Sequence, residues 1–287
     1  MKNYLSLVKF SHTVFAMPFA LLGFSIGAQV AGEGMNWQKL LLVVVCMVTA
    51  RNAAMAFNRW LDRDIDAINP RTRVREIPAG LVRPQAALAF VIVNCLIFAG
   101  ATWYINHLCF LLSPVALAVV LGYSYTKRFT WLCHLVLGLG LSLAPVGAYV
   151  AVTGNFDWIP VLYGAAVLLW VAGFDVIYAL QDEDFDRSQR LYSMPSFFGK
   201  KLALRISEWM HLGSALLIVL AARHVVSALP QTGWLLWVGT GIFLLFLLYQ
   251  HRLVKPDDLS RVNMAFFTTN GLASLTFGAL AILDVWW

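Results

Sequence analysis

Two stretches of this sequence place carboxylates where a charge-neutralising ligand is needed. Asn58, Asp62 and Asp66 recur at i, i+4 and i+8. Asp175, Tyr178, Asp182 and Asp186 recur at i, i+3, i+7 and i+11. On a helix each set falls on one face, in successive turns. Like charges one turn apart repel, and few compensating charges share those faces. A divalent cation removes the problem. Magnesium prefers oxygen ligands, keeps several waters and is commonly held by one or two carboxylates plus substrate phosphates. Two such faces opposed across a cavity could hold two or more ions with a diphosphate between them. Asp64 and Asp184 fall off these faces, toward arginine neighbours or water. Two further ionisable groups sit inside apolar stretches, where they are functional candidates by default. One is Asp175. The other is Arg51, whose guanidinium could offer a fork of donors to phosphate oxygens.

The elements that carry these faces are membrane helices. Hydrophobic residues make up 60% of the 287 residues and charged residues 13%. A soluble domain has about 25% charged residues. A spanning helix needs about 20 mostly apolar residues, and nine runs qualify: roughly 10–31, 38–61, 85–105, 108–125, 131–153, 158–181, 202–226, 232–251 and 263–285. The runs are long and lack period-2 alternation, which favours helices over a barrel. Pro18 and Pro145 fall inside two of them, where membrane helices tolerate proline as a kink. The expected fold is therefore all-α: a polytopic membrane protein with one domain over 1–287 and about nine helices around a central cavity.

Charge sets the orientation. With the N-terminus in the cytoplasm, the loops after helices 2, 4, 6 and 8 are cytoplasmic. They hold Arg63, Arg71, Arg73, Arg75 and Arg83; Lys127 and Arg128; Arg187, Arg190, Lys200 and Lys201; and Arg252, Lys255 and Arg261. The clear exceptions are Lys39 and Arg223. This is the positive-inside pattern, and it places the C-terminus outside. It also accounts for the net charge of +6 with no nucleic-acid partner. Trp37, Trp158, Trp286 and Trp287, near helix ends, read as anchors at the membrane surface. Cys46, Cys95, Cys109 and Cys133 show no ligand spacing and read as small packing residues. The six histidines share no ligand spacing either.

The acidic blocks are copies of each other. Asp62-Arg-Asp-Ile-Asp66 matches Asp182-Glu-Asp-Phe-Asp186, and each is followed by arginines, a proline (Pro78, Pro195) and a glycine (Gly80, Gly199). Residues 1–128 and 129–255 read as two four-helix pseudo-repeats in the same orientation, with an extra helix over 262–287. A site at the interface of the halves follows by analogy with other repeat membrane proteins. The loops 62–84 and 182–201, long for a compact domain, read as caps over it.

Asn58-Arg-Trp-Leu-Asp62-Arg-Asp-Ile-Asp66, with Asn69-Pro-Arg71-Thr-Arg-Val-Arg75-Glu-Ile-Pro78-Ala-Gly80 after it, resembles the first signature of the UbiA superfamily of intramembrane prenyltransferases. Asp175-Val-Ile-Tyr178-Ala-Leu-Gln-Asp182-Glu-Asp-Phe-Asp186 resembles the second. Tyr125-Thr-Lys127-Arg128 is similar to the 4-hydroxybenzoate polyprenyltransferase-like branch. The heme-O-forming branch shares a segment like Asp62–Asp66 but lacks a second motif like the one here. One departure stands out. The family's first motif often reads NDxxDxxxD, and Arg59 replaces its first Asp, which leaves Asn58, Asp62 and Asp66.

The resemblance implies Mg2+-dependent transfer of a polyprenyl group from an allylic polyprenyl diphosphate to a hydroxy-aromatic acid. The acceptor would be 4-hydroxybenzoate or a dihydroxynaphthoate, in ubiquinone or menaquinone biosynthesis at the cell inner membrane. It implies metal held by Asn58, Asp62, Asp66, Asp182 and Asp186. Arg51, Lys127 and Arg128 would add positive charge where the diphosphate leaves, and Arg71 and Arg75 would close the first loop over it. Tyr178 would stand near the reacting carbon, and Asp175 would orient the acceptor or take its proton. Lys9 or Arg128 would meet the acceptor carboxylate, and the tail would lie in lipid. A lipid or tetrapyrrole acceptor is the variant reading. An ion-coupled transporter is the reading from another class, against which stand acids clustered at helix ends rather than at the midplane.

Overall fold

The computed structural model describes Leu7 and residues 15–287. The elements are α1 (Met17–Val30), α2 (Trp37–Leu61), α3 (Arg63–Ile68), α4 (Pro84–Ile105), α5 (His107–Thr126), α6 (Cys133–Thr153) and α7 (Trp158–Ala179). A 3-10 turn (Leu180–Asp182) leads into α8 (Glu183–Ser188), followed by α9 (Met194–Ala228), α10 (Trp234–Leu253), a π-helical stretch (Met264–Thr269) and α11 (Asn270–Trp286). Eight spans among the described residues are long and apolar enough to cross a membrane, and α1 is a shorter apolar helix. This agrees with the all-α fold of about nine helices expected from hydropathy. Large apolar side chains such as Leu96, Trp103, Leu111, Leu216 and Leu245 are exposed along the helices, as lipid contact requires.

Local chemistry sets the helix ends. Asn36, Asn106 and Asp157 cap α2, α5 and α7 by accepting from Lys39 N, Cys109 N and Ile159 N, as N-cap side chains do. Pro18 lies in the first turn of α1, where its missing N–H costs nothing. Pro145 lies inside α6, and Pro114 inside α5.

The two cap segments contain more helix than their charge and proline content suggests. Helix α2 ends at Asp62 and six-residue α3 follows; α7 ends in a 3-10 turn at Asp182 and six-residue α8 follows. The first turns of these short helices hold Asp64 and Asp66, and Glu183, Asp184 and Asp186. Carboxylates there are favoured by the exposed N–H groups and dipole of a helix start. Gly80 and Gly199, which follow the proline of each block, both have positive φ (73° and 76°), a region costly for side chains with a Cβ. Gly199 breaks α9, so its first residues belong to the cap and the remainder to the span.

The core lies between α1, α7, α10 and α11, where Phe19 packs on Trp170, Phe243 and Phe277 with centroids 5.3–6.1 Å apart. Trp170 Nε1 donates to Asn270 Oδ1 at 2.8 Å, which satisfies the buried indole N–H. Helices α1 and α6 approach closely because Gly23 faces the Pro145 carbonyl; a Cβ on Gly23 would stand 2.3 Å from that oxygen. Small residues permit such approach in membrane bundles. Gly23→Ala is therefore expected to cost about 1–3 kcal/mol, as overpacked sites do. Thermal unfolding in detergent checks this, with Gly100→Ala as control. A Cβ at Gly100 meets nothing within 4 Å, and its midpoint should not fall.

Candidate functional site

The α2–α3 break, the start of the cap beyond it, the end of α5 and the α7–α8 break come together at one end of the bundle. Tyr192 N donates to Lys127 O at 2.7 Å, tying the second cap to the end of α5. Arg128 donates to Asp62 Oδ1 (2.8 Å) and Leu61 O (3.2 Å), tying α5 to the end of α2. Below these contacts lies a cavity of about 260 Å³. Arg51, Asn58, Arg75, Lys127, Asp175, Tyr178, Asp182 and Asp186, eight of the residues expected from sequence, line it. Asp62 and Asp66 sit just behind the wall, 1% and 3% exposed. Lys9 lies outside the described residues.

The acidic faces are not bare, contrary to the expectation that few cations share them. Asp62 takes Asn58 Nδ2 (3.1 Å), Lys127 Nζ (3.1 Å) and Arg128 Nη2 (2.8 Å). Arg75 Nη1 donates to both oxygens of Asp66, at 2.7 and 2.8 Å. Arg71 reaches across from the first cap to Asp182, donating Nε to Oδ1 at 2.9 Å and Nη2 to Oδ2. Asn69 adds a donor to Asp182 at 3.3 Å. The reason is physical: a buried carboxylate must be neutralised by something, and of the two first-cap arginines Arg75 folds back onto the face that precedes it while Arg71 crosses to the other. Accordingly, no three His, Cys, Asp or Glu side chains are gathered as a ready metal cluster among the described residues. Asp64 pairs instead with Arg63 at 3.6 Å on the exposed side, and Asp184 is exposed. Burial works against the Arg71 charge, but the hydrogen bonds and charge of Asp182 outweigh it and hold the guanidinium above its ordinary range.

The cavity floor is aromatic. Phe15, Phe174 and Phe266 pack together at 5.2–6.0 Å, and Tyr178 stacks on Phe266 at 4.2 Å. Arg71 lies over the Tyr178 ring at 5.2 Å and donates to its hydroxyl at 3.0 Å. A second, almost wholly apolar cavity of about 330 Å³ runs beside α2, α4, α5 and α6. The two share Arg51, Tyr123, Leu137 and Leu141 as walls. A polar head and an apolar tail of one ligand would thus meet at Arg51.

Two groups escaped the reading of the sequence. His134, buried at the start of α6, places Nδ1 2.7 Å from Asp175 Oδ2, and its Nε2 faces the backbone N–H of Met194 at 3.2 Å. Since Nε2 must accept that N–H, the neutral ring carries its proton on Nδ1 and donates it to Asp175. No spacing rule finds a partner 41 residues away. Arg59 also lines the cavity. Its signal was available, because Arg51, Met55, Asn58 and Arg59 follow i, i+4, i+7 and i+8, one helix stripe.

Residues 16–272 match the model of the UbiA prenyltransferase family. The chain is 30% identical over 257 residues to a 4-hydroxybenzoate octaprenyltransferase of Aliivibrio fischeri (strain MJ11), covering 88% of this chain and 86% of the relative. It superposes on the apo structure of a UbiA homolog from Aeropyrum pernix K1 with a TM-score of 0.83 and 33% identity, over 95% of this chain and 98% of that one. With the structure of a UbiA homolog from Archaeoglobus fulgidus bound to GPP and Mg2+, the TM-score is 0.76 at 19% identity, over 99% and 100%.

Proposed function

The chain belongs to the UbiA prenyltransferase family, and from that premise we propose that it transfers a polyprenyl group from its diphosphate to a hydroxy-aromatic acid of the 4-hydroxybenzoate or dihydroxynaphthoate type. Membership makes it a multi-pass membrane transferase. The observation that carries the finer reading is the junction of the polar and apolar cavities at Arg51. A diphosphate under the caps can have its tail between α2, α4, α5 and α6, with the acceptor ring over the aromatic floor. Relatives that carry the name 4-hydroxybenzoate octaprenyltransferase support the acceptor class.

The donor set suits magnesium: Asn58, Asp62, Asp66, Asp182 and Asp186 offer hard oxygen atoms at one end of the bundle. Magnesium held there would neutralise the diphosphate as a leaving group. The homolog bound to GPP and Mg2+ supports this choice of ion. When substrate enters, Arg71 and Arg75 exchange Asp182 and Asp66 for phosphate oxygens, which draws the first cap over the site. Lys127, Arg128 and Arg51 supply charge where the leaving group becomes negative, so their attraction grows toward the transition state. The rings of Tyr178, Phe174 and Phe266 stabilise the allylic cation and exclude water that would quench it. A ring carbon ortho to the phenolic hydroxyl attacks that cation, and Asp175 takes the displaced ring proton. The cap end faces the cytoplasm, by the charge asymmetry of the loops.

The test is direct. Purified protein in detergent is incubated with magnesium, a radiolabelled polyprenyl diphosphate and a panel of aromatic acids. A prenylated hydroxy-aromatic acid is the expected product. No product with any acceptor, together with proton-coupled solute uptake in liposomes, would overturn the reading.

A further inference from the structure

Arg59 stands where the mechanism above gives it nothing to do, yet its environment is incomplete. The residue is 4% exposed. Its Nε and Nη1 are buried with no hydrogen-bond partner among the described residues, and Arg51 Nε is in the same state. Donors on a buried cation are costly to leave unmade. The charges around Arg59 do not resolve this. Arg75 opposes it, while Asp66 and Glu76 attract it without accepting a hydrogen bond from Nε or Nη1. Asp66 already gives both its oxygens to Arg75.

Both residues line the same cavity. Arg51 and Arg59 belong to the stripe of α2 that lines the polar cavity, together with Met55 and Asn58. A ligand that satisfied them would need several anionic oxygens in a small volume. A diphosphate has these, and the planar fork of arginine matches them in pairs. We propose that Arg59 and Arg51 form a grip for the diphosphate group that works without a divalent ion, so that a fixed guanidinium carries part of the charge neutralisation otherwise left to metal. The proposal rests on the prenyl-diphosphate reading and sharpens it. Binding and turnover then have different metal requirements: the substrate docks on guanidinium groups, and the ion is needed to let the diphosphate leave.

The experiment measures binding, not turnover. Calorimetry on the detergent-solubilised protein in excess EDTA uses a non-ionisable allylic S-thiolodiphosphate as probe. Wild type is expected to bind it, and Arg59→Gln to bind it about 10-fold or more weakly, the size of a lost charged hydrogen bond. With magnesium restored, the two should differ by less than about 3-fold, because the ion then supplies the missing charge. Arg59→Lys keeps the charge but loses the fork and should fall between them. Thermal unfolding shows that each variant is folded; should Arg59→Gln not fold, Arg59→Lys decides the matter by the same metal-free comparison. Metal-free binding unchanged in the folded variant overturns this inference alone. Failure of wild type to bind the probe even with magnesium overturns the diphosphate reading and this inference with it. Wild-type binding with magnesium and none in EDTA overturns the grip and leaves the diphosphate reading standing.

Discussion

Asp182→Asn is expected to lower kcat/KM for prenyl transfer by about 10³-fold, some 4 kcal/mol of transition-state stabilisation, while the protein stays folded. The side chain has two tasks and the substitution removes both. In the proposed mechanism it offers an oxygen anion to the magnesium, and it is the counter-charge that Arg71 would exchange for phosphate; the Arg71–Asp182 pair itself is present in the structure. Asparagine keeps the size and one carbonyl acceptor for Arg71 Nε but no charge, so packing is preserved while electrostatics is not. Asp182 is also the cleaner choice of the paired acids. Asp62 is 1% exposed and neutralises Lys127 and Arg128 together, so losing its charge would strand two buried or half-buried cations and cost stability as well. Asp182 is partly open to the cavity, with 18% of its side chain exposed. Steady-state rates at saturating magnesium, beside a thermal unfolding midpoint, separate the two effects. A variant with near-normal rates would remove Asp182 from the diphosphate end of the site.

Why the faces were legible and their partners were not is a matter of distance along the chain. Helical period and run length are local, and they reveal the spans, the Asn58/Asp62/Asp66 stripe and the Asp175/Tyr178/Asp182/Asp186 stripe to within a helix break at Asp62 and another at Asp182. The neutralising contacts depend on how each cap folds. Arg71 lies 111 residues from Asp182, and Arg128 lies 66 from Asp62. Repulsion between carboxylates correctly signals that positive charge is needed, but not whether a metal, a lysine or an arginine supplies it. The glycines were more informative than their type alone. Gly80 and Gly199 come in the same order after the arginines and proline of their blocks and share a positive φ, so each marks a backbone constraint as well as a break in composition. Arg59 shows the opposite case: its place on the cavity stripe was readable, but comparison with a family motif presents it as a missing carboxylate and hides the cation that is there.

Asp175→Asn is expected to cut kcat by about 10²-fold, the lower range for loss of a general base, with little change in KM for the diphosphate. Asp175 lies on the cavity wall one helix turn below Tyr178, away from the paired acids of the caps. One of its oxygens, Oδ2, accepts a hydrogen bond from His134 Nδ1–H at 2.7 Å. The Met194 N–H at His134 Nε2 keeps the imidazole from turning over, so that bond holds the carboxylate in one orientation and leaves Oδ1 for the acceptor in the proposed reaction. The arrangement is that of a base oriented by a neighbour, with the roles of acid and imidazole exchanged. Asparagine fills the same space but takes no proton at neutral pH, so the deficit should appear in the step that restores aromaticity. His134→Asn places an amide donor near the Nδ1 position and should lose less than His134→Leu, which removes the donor from Asp175 and the acceptor from Met194. Single-turnover product formation with pre-bound diphosphate reads this step without interference from binding. If Asp175→Asn keeps more than about a third of the wild-type rate, another group removes the proton, and the His134 contact serves only to join the second cap to α7 through Met194.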